Sequence, residues 1–251
     1  MGPVEAKITD FYRSGRAALA WLIDPDAFSP AMVEQMRHRD FSAAVDFIFV
    51  GGSLLHRGET AAVVERIKEA TEVPVVLFPG SGYQITPAAD ALLFLVLISG
   101  RNPEYLIGKQ VEAAPLVARY GMEAIPTGYL LVDGGRMGSV HYISATLPLP
   151  ADKPDLAATT ALAGRLMGQR LMYLDAGSGA VRPVDAALVE AVARQTRLPM
   201  IVGGGLRRVE DLTARWEAGA TVCVVGNRLE ESPDNIWELA QAKAACCSRR
   251  M

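Results

Sequence analysis

Short, nearly continuous apolar runs alternate with amphipathic stretches along the whole of this 251-residue chain. The runs fall at 18–24, 46–50, 74–78, 91–98, 128–132, 171–175, 199–202 and 221–225. Apolar runs of this length, without polar alternation, suit parallel strands covered on both faces. Between them the spacing turns helical. Val63, Val64, Ile67 and Ala70 share one face of a predicted helix, with Glu65, Arg66, Lys68 and Glu69 opposite. Val209, Leu212 and Trp216 repeat the pattern ahead of Gly219, which reads as a C-cap. Leu188, Ala191, Val192 and Gln195 give a less regular face. The third run is the exception, because 80–87 leaves little room for a helix before the fourth.

Eight strand runs with seven intervening segments predict an α/β fold, a (β/α)8 barrel forming one domain over 1–251. A doubly wound open sheet is the alternative that pattern alone allows.

Composition works mainly by exclusion. Half the residues are apolar, which suffices for a large core, and the net charge of -3 is interspersed. No basic stripe is present, so nucleic acid is not expected as a partner. Cys223 lies inside an apolar run, and the adjacent Cys246 and Cys247 match neither zinc spacing nor a disulfide framework. The segment 1–16 lacks the apolar centre of a signal peptide, and the strongest apolar run, 92–98, is too short to span a bilayer. A soluble, cytoplasmic protein is the expectation.

Every run stops in a glycine-rich or polar loop, and a barrel would gather all eight loops at one mouth. After the sixth to eighth runs come Gly177, Ser178 and Gly179, then Gly204 and Gly205, then Gly226 and Asn227. Glycines let successive amides approach an anion, and barrel phosphate sites commonly follow strands seven and eight. Tight βα turns are the alternative for any one loop; three adjacent loops favour phosphate. Asp24 ends the first run on the face of Ala20 and Leu22, where a carboxylate can hold Mg2+ against a diphosphate, and Ser53 can add a hydroxyl. Capping of a helix starting near Pro30 is the competing role, and for Asp26 it weighs equally. Asp175 shares a face with Tyr173, placed to orient or deprotonate a substrate hydroxyl. The five lysines lie outside the strand runs, and His38, His56 and His141 show no metal spacing and read as surface or loop residues. Metal-assisted, electrostatic chemistry is what remains.

The segments LIDPD (22–26), FVGGS (49–53), FPGS (78–81), SGRNPEYLIG (99–108), TGYLLVDGG (127–135), YLDAGSGA (173–180), IVGGGLR (201–207) and VVGN (224–227) resemble, in order, the geranylgeranylglyceryl phosphate synthase family, which includes the heptaprenylglyceryl phosphate synthases. The resemblance implies a modified barrel without its third helix. It implies Mg2+-dependent transfer of a prenyl group from a polyprenyl diphosphate to the C3 hydroxyl of sn-glycerol 1-phosphate. By motif, Asp24 and Ser53 correspond to the Mg2+ positions. Tyr173, Leu174, Asp175, Ala176, Gly177, Ser178 and Gly179, with Gly204, Gly205, Gly226 and Asn227, correspond to the glycerol phosphate site. Asp24 and Asp175 are the expected catalytic residues. Many family members carry Glu at the position of Asp175, and a lysine often stands where this chain has Ala27. The SGRNPEYLIG and TGYLLVDGG segments resemble the archaeal and related bacterial branch that uses geranylgeranyl diphosphate; heptaprenyl diphosphate and another phosphate-binding barrel chemistry are the alternatives. Dimers or hexamers are implied, and an apolar trough for the tail is expected at the mouth and along 92–98.

Overall fold

The structure, a computed structural model, describes residues 1–250; side-chain detail stops at Cys246, so the Cys247 side chain lies outside the described residues. Eight parallel strands close into a barrel in chain order. They are β1 (Ala18–Ile23), β2 (Phe47–Val50), β3 (Val75–Leu77), β4 (Ala91–Val96), β5 (Glu123–Leu131), β6 (Leu171–Asp175), β7 (Met200–Gly203) and β8 (Val222–Val225). The ring is sealed by β1 against β8, with Ala20 opposite Val224. All eight apolar runs are strands, so the open sheet is excluded.

The helices are α1 (Pro3–Ser14), α2 (Pro30–Met36), α3 (Phe41–Ala44), α4 (Thr60–Ala70), α5 (Lys109–Tyr120), α6 (Ser139–Ser144), α7 (Pro154–Leu166), α8 (Ala186–Thr196), α9 (Val209–Glu217), α10 (Asn227–Glu231) and α11 (Ile236–Arg250). Between β3 and β4 the chain makes only a single 3-10 turn, Gly82–Gln84, where the third barrel helix would stand. On α8 the buried face is Leu188, Val189, Val192 and Thr196, and Gln195 is exposed. That rotates the expected face by one residue, because Thr196 turns its hydroxyl back to the Val192 carbonyl at 2.8 Å and can be buried.

Strand alternation divides the core into two shells. Phe49, Leu93, Tyr173 and Val224 fill the barrel, while Trp21, Leu130, Leu174 and Val202 pack outward under the helices. The base of the barrel is closed by α1, whose Val4, Ile8 and Phe11 join the inner shell. The i, i+4, i+7 spacing of these three residues puts them on one stripe. Glu123 starts β5 five residues before the apolar run does, and its carboxylate accepts the Val4 and Glu5 amides at 3.0 and 2.8 Å. It thereby satisfies donors that a helix start leaves orphaned. Glu5 in turn forms a two-pronged pair with Arg170 at 2.6 and 2.9 Å. Nearby, Lys243 of α11 reaches Asp46 at 2.9 Å, and Asp46 also accepts the Leu19 amide at 2.8 Å.

Candidate functional site

At the opposite end the strand-end loops surround one cavity of about 280 Å³. One half is polar, lined by Asp24, Ser53, Asp175, Gly204, Gly226 and Asn227. The other half is apolar and runs along β4 past Leu93, Leu95 and Leu97 to Ile85 and Ala113. Ile85 can reach it because no helix follows β3.

Asp175 sits between the halves, buried at the end of β6. Its Oδ2 accepts the Tyr129 hydroxyl at 2.5 Å and its Oδ1 accepts the Gly177 amide at 2.8 Å. Burial pushes the carboxyl above the ordinary aspartate range, against the pull of Tyr129, the Gly177 amide and the nearby His141. Below it Tyr173 stacks on Phe78 with centroids 4.8 Å apart, and Tyr129 meets Tyr173 edge-on at 5.5 Å. These rings give the carboxylate a fixed, apolar floor. Asp175 caps no helix; Asp185 does that for α8, accepting the Ala187 amide at 2.8 Å.

The loop after β7 folds directly over Asp175. A Cβ on Gly204 would stand 2.6 Å from Asp175 Oδ1 and 2.7 Å from the Gly177 amide nitrogen, and its φ is +76°. Only glycine meets both conditions. Across from it, Asn227 Oδ1 accepts the Ser178 hydroxyl at 3.2 Å and the Gly179 amide at 3.3 Å, tying the β6 loop to the β8 loop. Two donors of the β6 loop therefore converge on one oxygen of the β8 loop at the cavity wall.

Asp24 faces the same space from β1. Its Oδ1 accepts the Asp26 amide at 2.9 Å, so it does cap, but the turn Pro25–Ala27 rather than α2. Its Oδ2 faces Gly52, where a Cβ would lie 3.2 Å away. Burial raises the Asp24 carboxyl. Glu230, one turn along from Asn227, is raised by burial and then by the charge of Asp24, and accepts a long bond from Asn227 Nδ2 at 3.4 Å. Asp26 has neither expected role. It accepts the amides of His56, Arg57 and Gly58 at 2.6, 2.7 and 2.5 Å, pinning the β2 loop to the β1 loop. Those bonds hold its carboxyl below the usual range. The hard oxygen donors of Asp24 and Ser53, both lining this cavity, fit the chemistry of an Mg2+ site.

Of the residues singled out by sequence, Asp24, Ser53, Tyr173, Asp175, Ser178, Gly179, Gly204, Gly205, Gly226 and Asn227 line this cavity. Leu174 and Ala176 do not, since both pack into the outer shell. Gly177 lies behind the loop, its amide on Asp175 and its α-carbon against His141, whose Cε1 is 3.5 Å from where a Cβ would be. His141 is thus buried rather than a surface residue, with Nδ1 accepting the Gly138 amide at 3.0 Å. Tyr129, Phe78 and Glu230 are among the cavity residues that the sequence alone does not mark as site residues. Tyr129 was detectable as an inward position on its strand; Glu230 had only its spacing from Asn227.

The PcrB family matches residues 15–243 of the chain. Geranylgeranylglyceryl phosphate synthase of Spirosoma linguale is 48% identical over 233 residues, 93% of this chain and 94% of that protein. The enzyme of the same name from Korarchaeum cryptofilum is 38% identical over 93% of this chain and 96% of its own length. Among solved structures, (S)-3-O-geranylgeranylglyceryl phosphate synthase from Thermoplasma acidophilum, in complex with its substrate sn-glycerol-1-phosphate, superimposes with a TM-score of 0.86 at 33% identity, covering 98% of this chain and 99% of that one.

Proposed function

This chain belongs to the PcrB family, the prenyltransferases named geranylgeranylglyceryl phosphate synthase, and from that premise we propose that it moves a geranylgeranyl group from its diphosphate to the C3 hydroxyl of sn-glycerol 1-phosphate. The observation that carries the reading is a cavity with a buried carboxylate between a wall of glycine-rich loops and an apolar trough. The convergence of Ser178 and Gly179 on the Asn227 oxygen supports a phosphate there, since a phosphate oxygen presents the same acceptor to the same donors.

With the phosphate held by the β6–β8 loops, the glycerol hydroxyl comes to Asp175. The carboxylate accepts the C3 hydroxyl proton as the oxygen bonds to C1 of the prenyl chain and the C1–diphosphate bond breaks. A base raised by burial is better matched to this task near neutral pH than an ordinary aspartate. Tyr129 and the Gly177 amide each bind one carboxylate oxygen, which fixes its plane before substrate arrives. Asp24 and Ser53 would hold Mg2+, whose charge, when bound, offsets that of the leaving diphosphate. The chain of Leu93, Leu95 and Leu97 takes the tail. Holding both reactants in one orientation supplies much of the rate.

Incubation of the protein with geranylgeranyl diphosphate, sn-glycerol 1-phosphate and Mg2+ should yield the ether phosphate, and chelation should stop it. A parallel reaction with heptaprenyl diphosphate tests donor length, with slower turnover expected. Absence of product from either donor would remove the activity and leave only the barrel.

A further inference from the structure

We infer that Gln84 is a positioning residue for the diphosphate end of the cavity, its side-chain amide holding the Gly52 peptide and so setting Ser53 against Asp24. This rests on the Mg2+ reading above.

Gln84 belongs to the turn that replaces the third barrel helix, and it is buried to 3% exposure although its neighbour Tyr83 is fully exposed. Burying a primary amide costs free energy unless its polar atoms are matched, and here both ends are used. Nε2 donates to the Gly52 carbonyl at 2.8 Å, while Oε1 accepts longer bonds from the Gly52 and Gly80 amides at 3.3 and 3.4 Å. The side chain thus grips both faces of one residue, as a neighbouring strand would, just past the point where the β2–β3 ladder ends at Val50 and Leu77.

The contact continues into the site. A Cβ on Gly80 would lie 2.4 Å from the Gly52 carbonyl oxygen and 2.8 Å from that of Ser53, so the two loops meet backbone to backbone. On its other side Gly52 lies against Asp24 Oδ2, with 3.2 Å to a Cβ built there. A shift of the Gly52 peptide therefore alters the separation of Asp24 and Ser53 directly. Among the described residues the side-chain hydrogen bonds of Gln84 all go to the β2 and β3 loops, and none goes to the loops after β6, β7 and β8. Gln84 should accordingly govern cation and diphosphate binding without altering glycerol phosphate binding. A residue that merely stabilised the fold would show no such division.

The test compares wild type with Gln84→Ala and Gln84→Met, the latter keeping length and volume while removing the amide. Mn2+ binding in the presence of inorganic pyrophosphate is measured by titration calorimetry, together with the Mg2+ concentration for half-maximal turnover and the KM for sn-glycerol 1-phosphate. Both variants should bind Mn2+ about tenfold more weakly, as loss of supporting contacts around a metal commonly does, with the KM for sn-glycerol 1-phosphate within about twofold of wild type. A folded Gln84→Met protein with wild-type Mn2+ affinity overturns the inference even if turnover or melting temperature has fallen. Wild-type protein that binds no Mn2+ under these conditions overturns the metal reading itself, and this inference with it.

Discussion

The two ends of the barrel treat buried charge in opposite ways. At the base every buried carboxylate has a cation: Asp46 has Lys243 at 2.9 Å, and Glu5 has Arg170 at 2.6 Å. At the mouth Asp24, Asp175 and Glu230 are pushed upward by burial, and none of the ion pairs among the described residues includes them. The base is arranged for stability. The mouth keeps acids in a costly state, which makes sense where a proton, a cation or a substrate is to be received.

Four changes bear on this contrast. Asp175→Asn should lower kcat by about 10²–10⁴-fold, the range for a lost general base, while the fold persists. It should also raise thermal stability at neutral pH. A carboxyl whose folded pKa is raised stabilises the native state below its unfolded pKa and loses that contribution as pH rises through the folded value. The advantage of the Asn variant should therefore shrink on acidification; a variant no more stable than wild type at pH 7 would break the contrast. Lys243→Met should cost about 3 kcal/mol of unfolding free energy by leaving Asp46 buried without its cation, with kcat per folded molecule unchanged. Asp24→Asn should weaken Mg2+ activation by about 10–100-fold, read as the metal concentration for half-maximal rate. Tyr129→Phe should have the smallest effect, a loss of rate confined to the acid side of the profile, because the Tyr129 bond holds the Asp175 carboxyl down and losing it shifts the acid limb of the pH–rate profile upward. An unmoved acid limb would mean that Asp175 is not the titrating base.

The contrast also marks how far the sequence could be read. Strands covered on both faces leave uninterrupted apolar runs, so all eight could be recognised, and the gap of 80–87 foretold the missing helix. The start of β5 was hidden because Glu123 and Pro126 are poor strand residues; Glu123 is there to cap α1, a tertiary reason that local propensity does not hold. The same applies to α1, whose stripe of Val4, Ile8 and Phe11 is thin among polar residues. At the mouth, glycine loops and the two aspartates announced themselves by type and position. His141 and Glu230 did not, since each acquires its place only when loops from different strands meet.

The helix stoppering the base has a kinetic corollary. With the inner shell buried beneath Tyr173 and α1 across the base, the proposed reaction would pass its two reactants inbound and its two products outbound through the mouth. On that proposal, an ether retaining both a phosphate and a prenyl tail would back out against newcomers, so inhibition by its own product should be competitive towards each substrate in turn.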